Sequence, residues 1–209
     1  MCGRAEDLFT PKAVAALTRL FGPLGWEVAP RDEIRPTDQI RLIRPAGEEG
    51  YEAPFARWGL LPEQMDAAAV KKYSLFNARL ESVERSKVFG PAFRTRRCIV
   101  PLSAFAEWPV AADGTKSNVR IARPDGLPLL AAGLWNRSED GVESCTVVTR
   151  APTADLEAVH GRMPALLLTA DLPAWLRASP AEARRAAAAS WKPGLLTVTS
   201  AERSATHLT

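Results

Sequence analysis

Short stretches rich in apolar residues recur along the chain, and at residues 39–44 polar and apolar residues alternate; both patterns predict β-strands. Gly, Pro and Asp-Gly turn signals separate many of these stretches. The predicted strands cover residues 39–44, 51–58, 98–101, 119–122, 129–134, 145–149, 166–168 and 195–198.

Helical patterns are fewer. Thr10 and Pro11 suit the N-cap and the first position of a helix, whose apolar residues then share one face until Gly22. Further short helices are predicted at residues 153–159, 173–178 and 181–189. Because strands outnumber helices and do not alternate with them, we expect an α+β fold with a mostly antiparallel core. The length of 209 residues suits a single domain spanning residues 1–209.

Composition narrows the class of protein. Hydrophobic residues make up 46% of the chain and charged residues 24%, which is typical of a globular protein. No apolar run approaches the roughly 18 residues of a membrane span, and no secretion signal opens the chain, so we expect no membrane partner. The three cysteines, Cys2, Cys98 and Cys145, are far apart and odd in number. This pattern argues against a disulfide framework and indicates a reducing, cytoplasmic compartment.

Metal and charge signals are weak. There are two histidines, His160 and His207, and no CxxC or HExxH motif, so we expect no metal site. Net charge is +3, but 21 of the 27 basic residues are Arg, the side chain best suited to gripping phosphates and stacking on bases. An Arg-rich genome explains this excess equally well, since Ala, Pro and Gly are also abundant.

The N-terminal sequence Met1-Cys2-Gly3-Arg4 carries the most distinctive chemistry. Removal of Met1 would leave Cys2 with an α-amine and a thiol on adjacent carbons. The pKa of an α-amine is near 8, against about 10.4 for Lys, so much of it is nucleophilic near neutral pH. An aldehyde could condense with both groups to close a five-membered thiazolidine ring. On these four residues alone, a chance cysteine at position 2 remains the simpler interpretation.

Other candidate residues each have a structural alternative. Glu107, beside Trp108 in an apolar stretch, suits a general acid, or is an ordinary strand-end Glu. His160 suits a proton shuttle, or caps the preceding helix. Asn77 and Arg79 could orient a substrate and hold a phosphate, or form a helix cap with a solvated Arg. The cluster of Arg94, Arg96 and Arg97 is interpreted as a solvated basic face.

These residues fall in one pattern, and the chain resembles the SRAP (SOS response-associated peptidase) family, whose members bind abasic sites in single-stranded DNA. The resemblance runs in order and at similar spacing from Cys2 to about residue 168. The matching segments are MCGR at 1–4, WGLLP at 58–62, NARLE at 77–81, RCIVP at 97–101, FAEW at 105–108 and HGRMP at 160–164.

The resemblance implies a function and a set of roles. It implies a barrel-like β core, no cofactor, and a monomer that associates with the nucleoid when DNA is damaged. Cys2 would join covalently to the aldehyde of an abasic site as a thiazolidine, and residues ahead of it would be removed by self-processing. The implied catalytic residues are Cys2, Asn77, Glu107 and His160. The implied DNA contacts are Arg4, Trp58, Arg79 and Arg162.

Two segments depart from the family pattern. An aromatic-Asn pair is usual before the first family strand, whereas this chain has Asp32-Glu33, which puts an extra acid near the site or marks a different loop. The usual C-terminal Asn is also absent from residues 197–202.

Two alternative functions stay open. One is an N-terminal-nucleophile amidohydrolase or glutamine amidotransferase, some of which also begin Met-Cys-Gly, and glutaminase activity would support it. The other is a non-catalytic single-stranded DNA-binding module with no dependence on Cys2.

Overall fold

The computed structural model describes residues 3–26, 29–63, 75–189 and 191–200. Cys2 and the polar, Ala-rich residues 64–73, where the sequence predicts a loop, therefore lie outside the described residues.

Strands dominate the described part of the chain. The strands are β1 (Ala5–Asp7), β2 (Arg31–Ile34), β3 (Gln39–Arg41), β4 (Arg44–Ala46), β5 (Gly50–Glu52), β6 (Phe55–Trp58), β7 (Asn77–Arg79), β8 (Arg97–Leu102), β9 (Ala104–Glu107), β10 (Val119–Ala122), β11 (Leu129–Arg137), β12 (Glu143–Arg150), β13 (Met163–Pro164) and β14 (Thr197–Ser200). The α-helices are α1 (Pro11–Phe21), α2 (Gly90–Thr95), α3 (Leu172–Arg177) and α4 (Pro180–Ala189), with 3₁₀ turns at Val83–Arg85 and Thr169–Asp171.

Two sheets and a small hairpin organise these strands. One sheet has the order β14-β10-β9-β1-β2, and its pairs are all antiparallel. The other has the order β3-β6-β12-β11-β8, with β7 and β13 also paired to β12, while β4 and β5 form the hairpin. Strands β6 and β7 run parallel to β12. The structure confirms the predicted α+β class with a mostly antiparallel, barrel-like core.

Two apolar clusters stabilise the fold. The first lies between the two sheets and joins residues such as Phe105 and Ile121 to Val100 and Leu129. The second lies between the other face of the larger sheet and the helices, and includes Trp175. The strands β1, β9 and β7, which position the site residues, therefore pack against buried apolar side chains.

Local signals explain the helices that were predicted correctly. Thr10 caps α1 by accepting a hydrogen bond from the Ala13 N–H at 3.2 Å, and the helix ends at Gly22 with φ +89°. The predicted helix at 153–159 is instead a series of turns, and Asn77 and Arg79 lie on a strand rather than in a turn.

Arg97 corrects the interpretation of its cluster as a solvated basic face. Its side chain is buried, and the guanidinium donates to the carbonyl groups of Phe93 at 2.8 Å and of Trp175 at 2.5 Å. These oxygens belong to the ends of α2 and α3, where carbonyl groups lack helical partners. Arg97 therefore joins two helix ends to β8.

Candidate functional site

The register between β1 and β9 defines the site. Ala5 lies opposite Phe105, and the Ala106 N–H donates to the Arg4 carbonyl group at 3.1 Å. Extending this antiparallel register places Glu107 opposite Gly3, which is half-buried. Gly3 is bonded to Cys2, the predicted nucleophile. The strand pairing therefore places Glu107 beside the residue that follows Cys2 in the chain.

Burial sets the protonation of Glu107. The residue is only 3% exposed, and burial raises the pKa of its carboxyl group above the ordinary value of 4.5. The positive charge of His160 acts in the opposite direction and lowers that pKa, so the two side chains interact electrostatically. The sequence attributed the shift to Trp108, but Trp108 follows the last residue of β9 and is 38% exposed, so burial of Glu107 itself is the larger cause.

His160 is held by the backbone of the segment that follows it. Its Nδ1 lies 2.9 Å from the backbone nitrogen of Arg162 and 3.1 Å from the Arg162 carbonyl oxygen. The first group can donate to Nδ1 and the second can accept from it, so either tautomer has a partner. This contact orients the half-buried ring.

Asn77 begins β7, which runs parallel to β12 with Asn77 opposite Val147 and Arg79 opposite Thr149. Asn77 is half-buried and Arg79 is exposed. A side chain on a paired strand is more rigidly placed than one in a turn, which suits Asn77 to orienting a substrate group.

Glu81 lies just after β7 and interacts with two arginines, Arg162 and Arg150. Arg162 makes a two-pronged ion pair with Glu81 at 2.7 and 2.9 Å and also donates to the Thr149 carbonyl oxygen at 2.6 Å. Hydrogen bonding from Arg162 lowers the pKa of Glu81. Burial lowers the pKa of Arg150, and the negative charge of Glu81 acts in the opposite direction. Arg150 is half-buried, and our sequence interpretation gave it no role. The only sequence signal for Arg150 was its place in the segment 149–151.

Arg4 lies at the other side of the site. Its guanidinium forms an ion pair with Glu33 and stands 5.7 Å from the centre of the Trp108 ring. Arg4 thus lies just before β1, next to the strand pair that ends at Glu107, whereas Arg79 lies on β7 and Arg162 is hydrogen-bonded to Thr149 of β12. Glu33 was noted in the sequence as an unusual acid, but its partner was not predicted.

Trp58 does not fit its predicted role. Its side chain is completely buried, its Nε1 donates to the Phe76 carbonyl oxygen at 2.9 Å, and its ring packs edge-on against Phe76. The prediction that Trp58 contacts DNA is therefore wrong for this structure. Trp58 anchors the segment leading into β7, and Trp108 is the exposed indole at the site.

The described residues contain no group of three or more His, Cys, Asp and Glu side chains arranged to hold a metal ion. No helix there has both the length and the apolar character needed to cross a membrane.

We expect Cys98 and Cys145 not to react with thiol reagents in the native protein. Cys98 and Cys145 are fully buried, and burial raises the pKa of Cys145 to about 12 and that of Cys98 well above its ordinary value. We expect a thiol reagent at pH 8 to modify the native protein once, at Cys2, and native Cys2→Ser not at all. Mass spectrometry after brief labelling checks this, and denatured Cys2→Ser should label twice as the control. Rapid labelling of native Cys2→Ser would contradict the burial of both thiols.

The raised pKa of Glu107 has a consequence for stability. Folding favours its protonated form, so this contribution is complete below the unfolded pKa near 4.5 and is lost as pH rises through the folded pKa. Glu107→Gln cannot ionise, and we expect it to be more stable than the parent at pH 8, with a smaller difference at pH 4.5. Urea unfolding at the two pH values measures this, with the exposed Glu84→Gln as the control. A difference that does not grow with pH would contradict the assignment.

Known structures share this fold. A Bordetella bronchiseptica protein of known crystal structure superimposes with a TM-score of 0.79 at 24% identity, covering 96% of this chain and all of that one. A Bacteroides thetaiotaomicron protein superimposes with a TM-score of 0.73 at 18% identity, covering 94% of this chain and 85% of that one. At these identities the likeness establishes the fold alone.

Sequence comparison identifies the family. The chain is 34% identical over 136 residues to the abasic site processing protein YMR114C of Saccharomyces cerevisiae, a match covering 64% of this chain and about a third (36%) of the yeast protein. It is 31% identical over 160 residues to the abasic site processing protein YoqW of Bacillus subtilis, covering 75% of this chain and 70% of that protein. A family model for the SOS response associated peptidase (SRAP) matches residues 1–202. The chain belongs to the SRAP family.

Proposed function

We propose that this protein processes abasic sites in single-stranded DNA by bonding covalently to them through Cys2. The observation that carries the proposal is the β1–β9 register, which, extended by two residues, sets the buried Glu107, whose pKa is raised by burial, opposite Gly3, the residue bonded to Cys2. The relatives named abasic site processing proteins support the same substrate.

The first step requires an open sugar. An abasic sugar is mainly a closed ring, and its reactive aldehyde appears when the ring oxygen takes a proton, the anomeric hydroxyl loses one and the ring opens. Glu107 suits the general-acid role because burial raises the pKa of its carboxyl group and so favours the protonated form. Once ionised, the same carboxylate would take up protons released in later steps.

The second step forms two bonds to the aldehyde carbon. The Cys2 amine attacks that carbon, and loss of one water gives an imine. The Cys2 thiolate then adds to the imine carbon, and the nitrogen takes up a proton. The closed ring contains the nitrogen, Cα, Cβ and sulfur of Cys2 and the former aldehyde carbon. No oxidant or reductant is needed.

His160 and Asn77 support these steps in the proposal. His160, oriented by the Arg162 backbone and electrostatically coupled to Glu107, would relay protons during loss of water. Asn77, fixed on β7, would position the N-terminal residue and the sugar.

Arginines at both sides of the site would hold the DNA backbone. Arg4 lies beside the β1–β9 pair, while Arg79, Arg150 and Arg162 lie beside the β7–β12 pair. A strand of DNA crossing between these groups would carry its sugar past Gly3.

The two alternative functions predict different results: an amidotransferase would hydrolyse glutamine, and a non-catalytic module would bind DNA equally well without Cys2.

Removing a phosphate contact should slow adduct formation. We expect Arg79→Ala and Arg162→Ala to react more slowly than the parent at low salt. The logarithm of the rate should also depend less steeply on the logarithm of salt, by about 0.7 for each lost contact with a single strand. Rates measured below saturation across a salt series test this, and the exposed Arg184→Ala on α4 is the matched control. Folded variants with parental rates at every salt concentration would refute the DNA-binding role.

The direct test of the proposal uses two oligonucleotides. One carries a natural abasic site, and the other carries a tetrahydrofuran abasic analogue, which has no aldehyde. The protein should form an adduct with the first that survives denaturation without borohydride, and none with the second. Equal retention of both would indicate non-covalent binding only.

A further inference from the structure

Glu33 forms a bridge between two arginines at the edge of the proposed DNA path. One carboxylate oxygen is ion-paired with Nε of Arg4, and the other accepts a hydrogen bond from Arg35 at 2.5 Å. Hydrogen bonding from Arg35, together with the charges of Arg4 and Arg35, lowers the pKa of Glu33 despite partial burial. Glu33 is therefore an anion at neutral pH, and it faces the cation closest along the chain to Cys2.

The position of Glu33 follows from the sheet. Ala5 lies opposite Ile34 in the antiparallel β1–β2 pair, so Arg4 lies opposite Arg35, and Glu33 is the diagonal neighbour of Arg4 on the same face of the sheet. The other strand beside β1 is β9, with Glu107 opposite Gly3. A phosphate approaching Arg4 beside the reactive site would therefore meet the Glu33 carboxylate.

The contact is weak enough to exchange. The Arg4 side chain is 32% exposed and the Glu33 side chain 41% exposed, and ion pairs at such exposure contribute little to the stability of the fold. A structural role would need stronger coupling than this. Competition requires only that Glu33 stay paired with the Arg4 guanidinium until a DNA phosphate replaces it.

We propose that Glu33 competes with DNA phosphates for Arg4 and so weakens binding to intact single-stranded DNA. The inference rests on the proposed function for its ligand. Reversible binding to undamaged strands would then be brief, and lasting retention would depend on the covalent bond at an abasic site. Glu33 is thus a specificity residue that favours damaged over intact DNA without touching the reacting atoms.

Removing the charge should release Arg4, and in part Arg35, for phosphate contacts. Each released contact adds about 0.7 to the salt slope, which corresponds to roughly fivefold tighter binding at 0.1 M salt than at 1 M. We expect Glu33→Gln to bind an intact oligonucleotide at least about fivefold more tightly at 0.1 M salt, with the gain disappearing near 1 M.

The test measures reversible binding to an intact single-stranded oligonucleotide by fluorescence anisotropy across a salt series. The control is Asp125→Asn, because the Asp125 side chain is also 41% exposed, is ion-paired with an arginine, Arg123, and loses the same charge when substituted. The variant Arg4→Gln, alone and with Glu33→Gln, shows whether the gain passes through Arg4. With Arg4 absent, the gain should fall to the part contributed by Arg35.

The outcomes separate this inference from the proposed function. A gain for Glu33→Gln that exceeds the control and shrinks without Arg4 supports the inference, even if no adduct forms in a parallel reaction with abasic DNA. Affinity equal to that of Asp125→Asn, or a gain that does not depend on Arg4, would overturn it. In the adduct reaction, Glu33→Gln should raise the rate at low protein concentration but leave the saturating rate unchanged.

Discussion

A protein that keeps any residue ahead of Cys2 should form no denaturation-stable adduct with abasic single-stranded DNA. An amide nitrogen is not basic and does not form a stable imine with a sugar aldehyde, so an extension removes one of the two nucleophiles. It would also crowd the segment at Gly3, which is half-buried against β9. Samples with a cleaved and an uncleaved N-terminal extension, each verified by mass, should differ completely in a denaturing gel assay.

Two controls locate the effect at the terminus. A C-terminal tag should leave the reaction unchanged. Cys2→Ala keeps the amine, so it should give an imine that borohydride can trap but no adduct that survives denaturation without reductant. If a verified, uncleaved extension reacted at the normal rate, the terminal aminothiol would not be the reactive group.

Glu107→Gln should lower the rate of adduct formation by about 10²-fold, the usual contribution of a positioned general acid or base. Gln preserves the size of the side chain and removes the proton that opens the sugar. The rate of the parent should fall as pH rises through the raised pKa of Glu107, and this decline should be absent from the variant. Single-turnover rates at saturating protein across a pH series measure both effects.

Loss of folding cannot imitate this result, because we expect Glu107→Gln to be the more stable protein at pH 8. His160→Ala should also slow the reaction, to a smaller degree. A rate for Glu107→Gln within a factor of two of the parent would make Glu107 an ordinary buried residue of β9.

The fold was predictable where patterns are local. The short apolar runs at residues 129–134 and 145–149 predicted β11 and β12, and the Thr10 cap predicted α1. The segment 30–38 contains β2 but was not among the predicted strands, because its residues are mostly polar and Ile34 is its only fully buried member. Its pairing with β1 joins residues far apart in the chain, and no local pattern carries that information.

The site was predictable in its residue types but less so in its contacts. Chemistry and motif positions identified Glu107 and His160, and the structure brings them into electrostatic contact. A motif does not say which way a side chain points, so Trp58 was assigned to DNA although it lies in the core. The ion pairs of Arg4 with Glu33 and of Arg162 with Glu81 join separate strands or segments and required the three-dimensional structure.

The intact mass of the reaction product tests the central claim most directly. The protein is incubated with a single-stranded oligonucleotide that holds one abasic site, without reductant, and is then denatured. The account predicts one new species, whose mass equals the protein without Met1 plus the oligonucleotide, less one water. Peptide mapping should place the bond at Cys2. Separate, unmodified protein and DNA, or an adduct that maps to another residue, would contradict it.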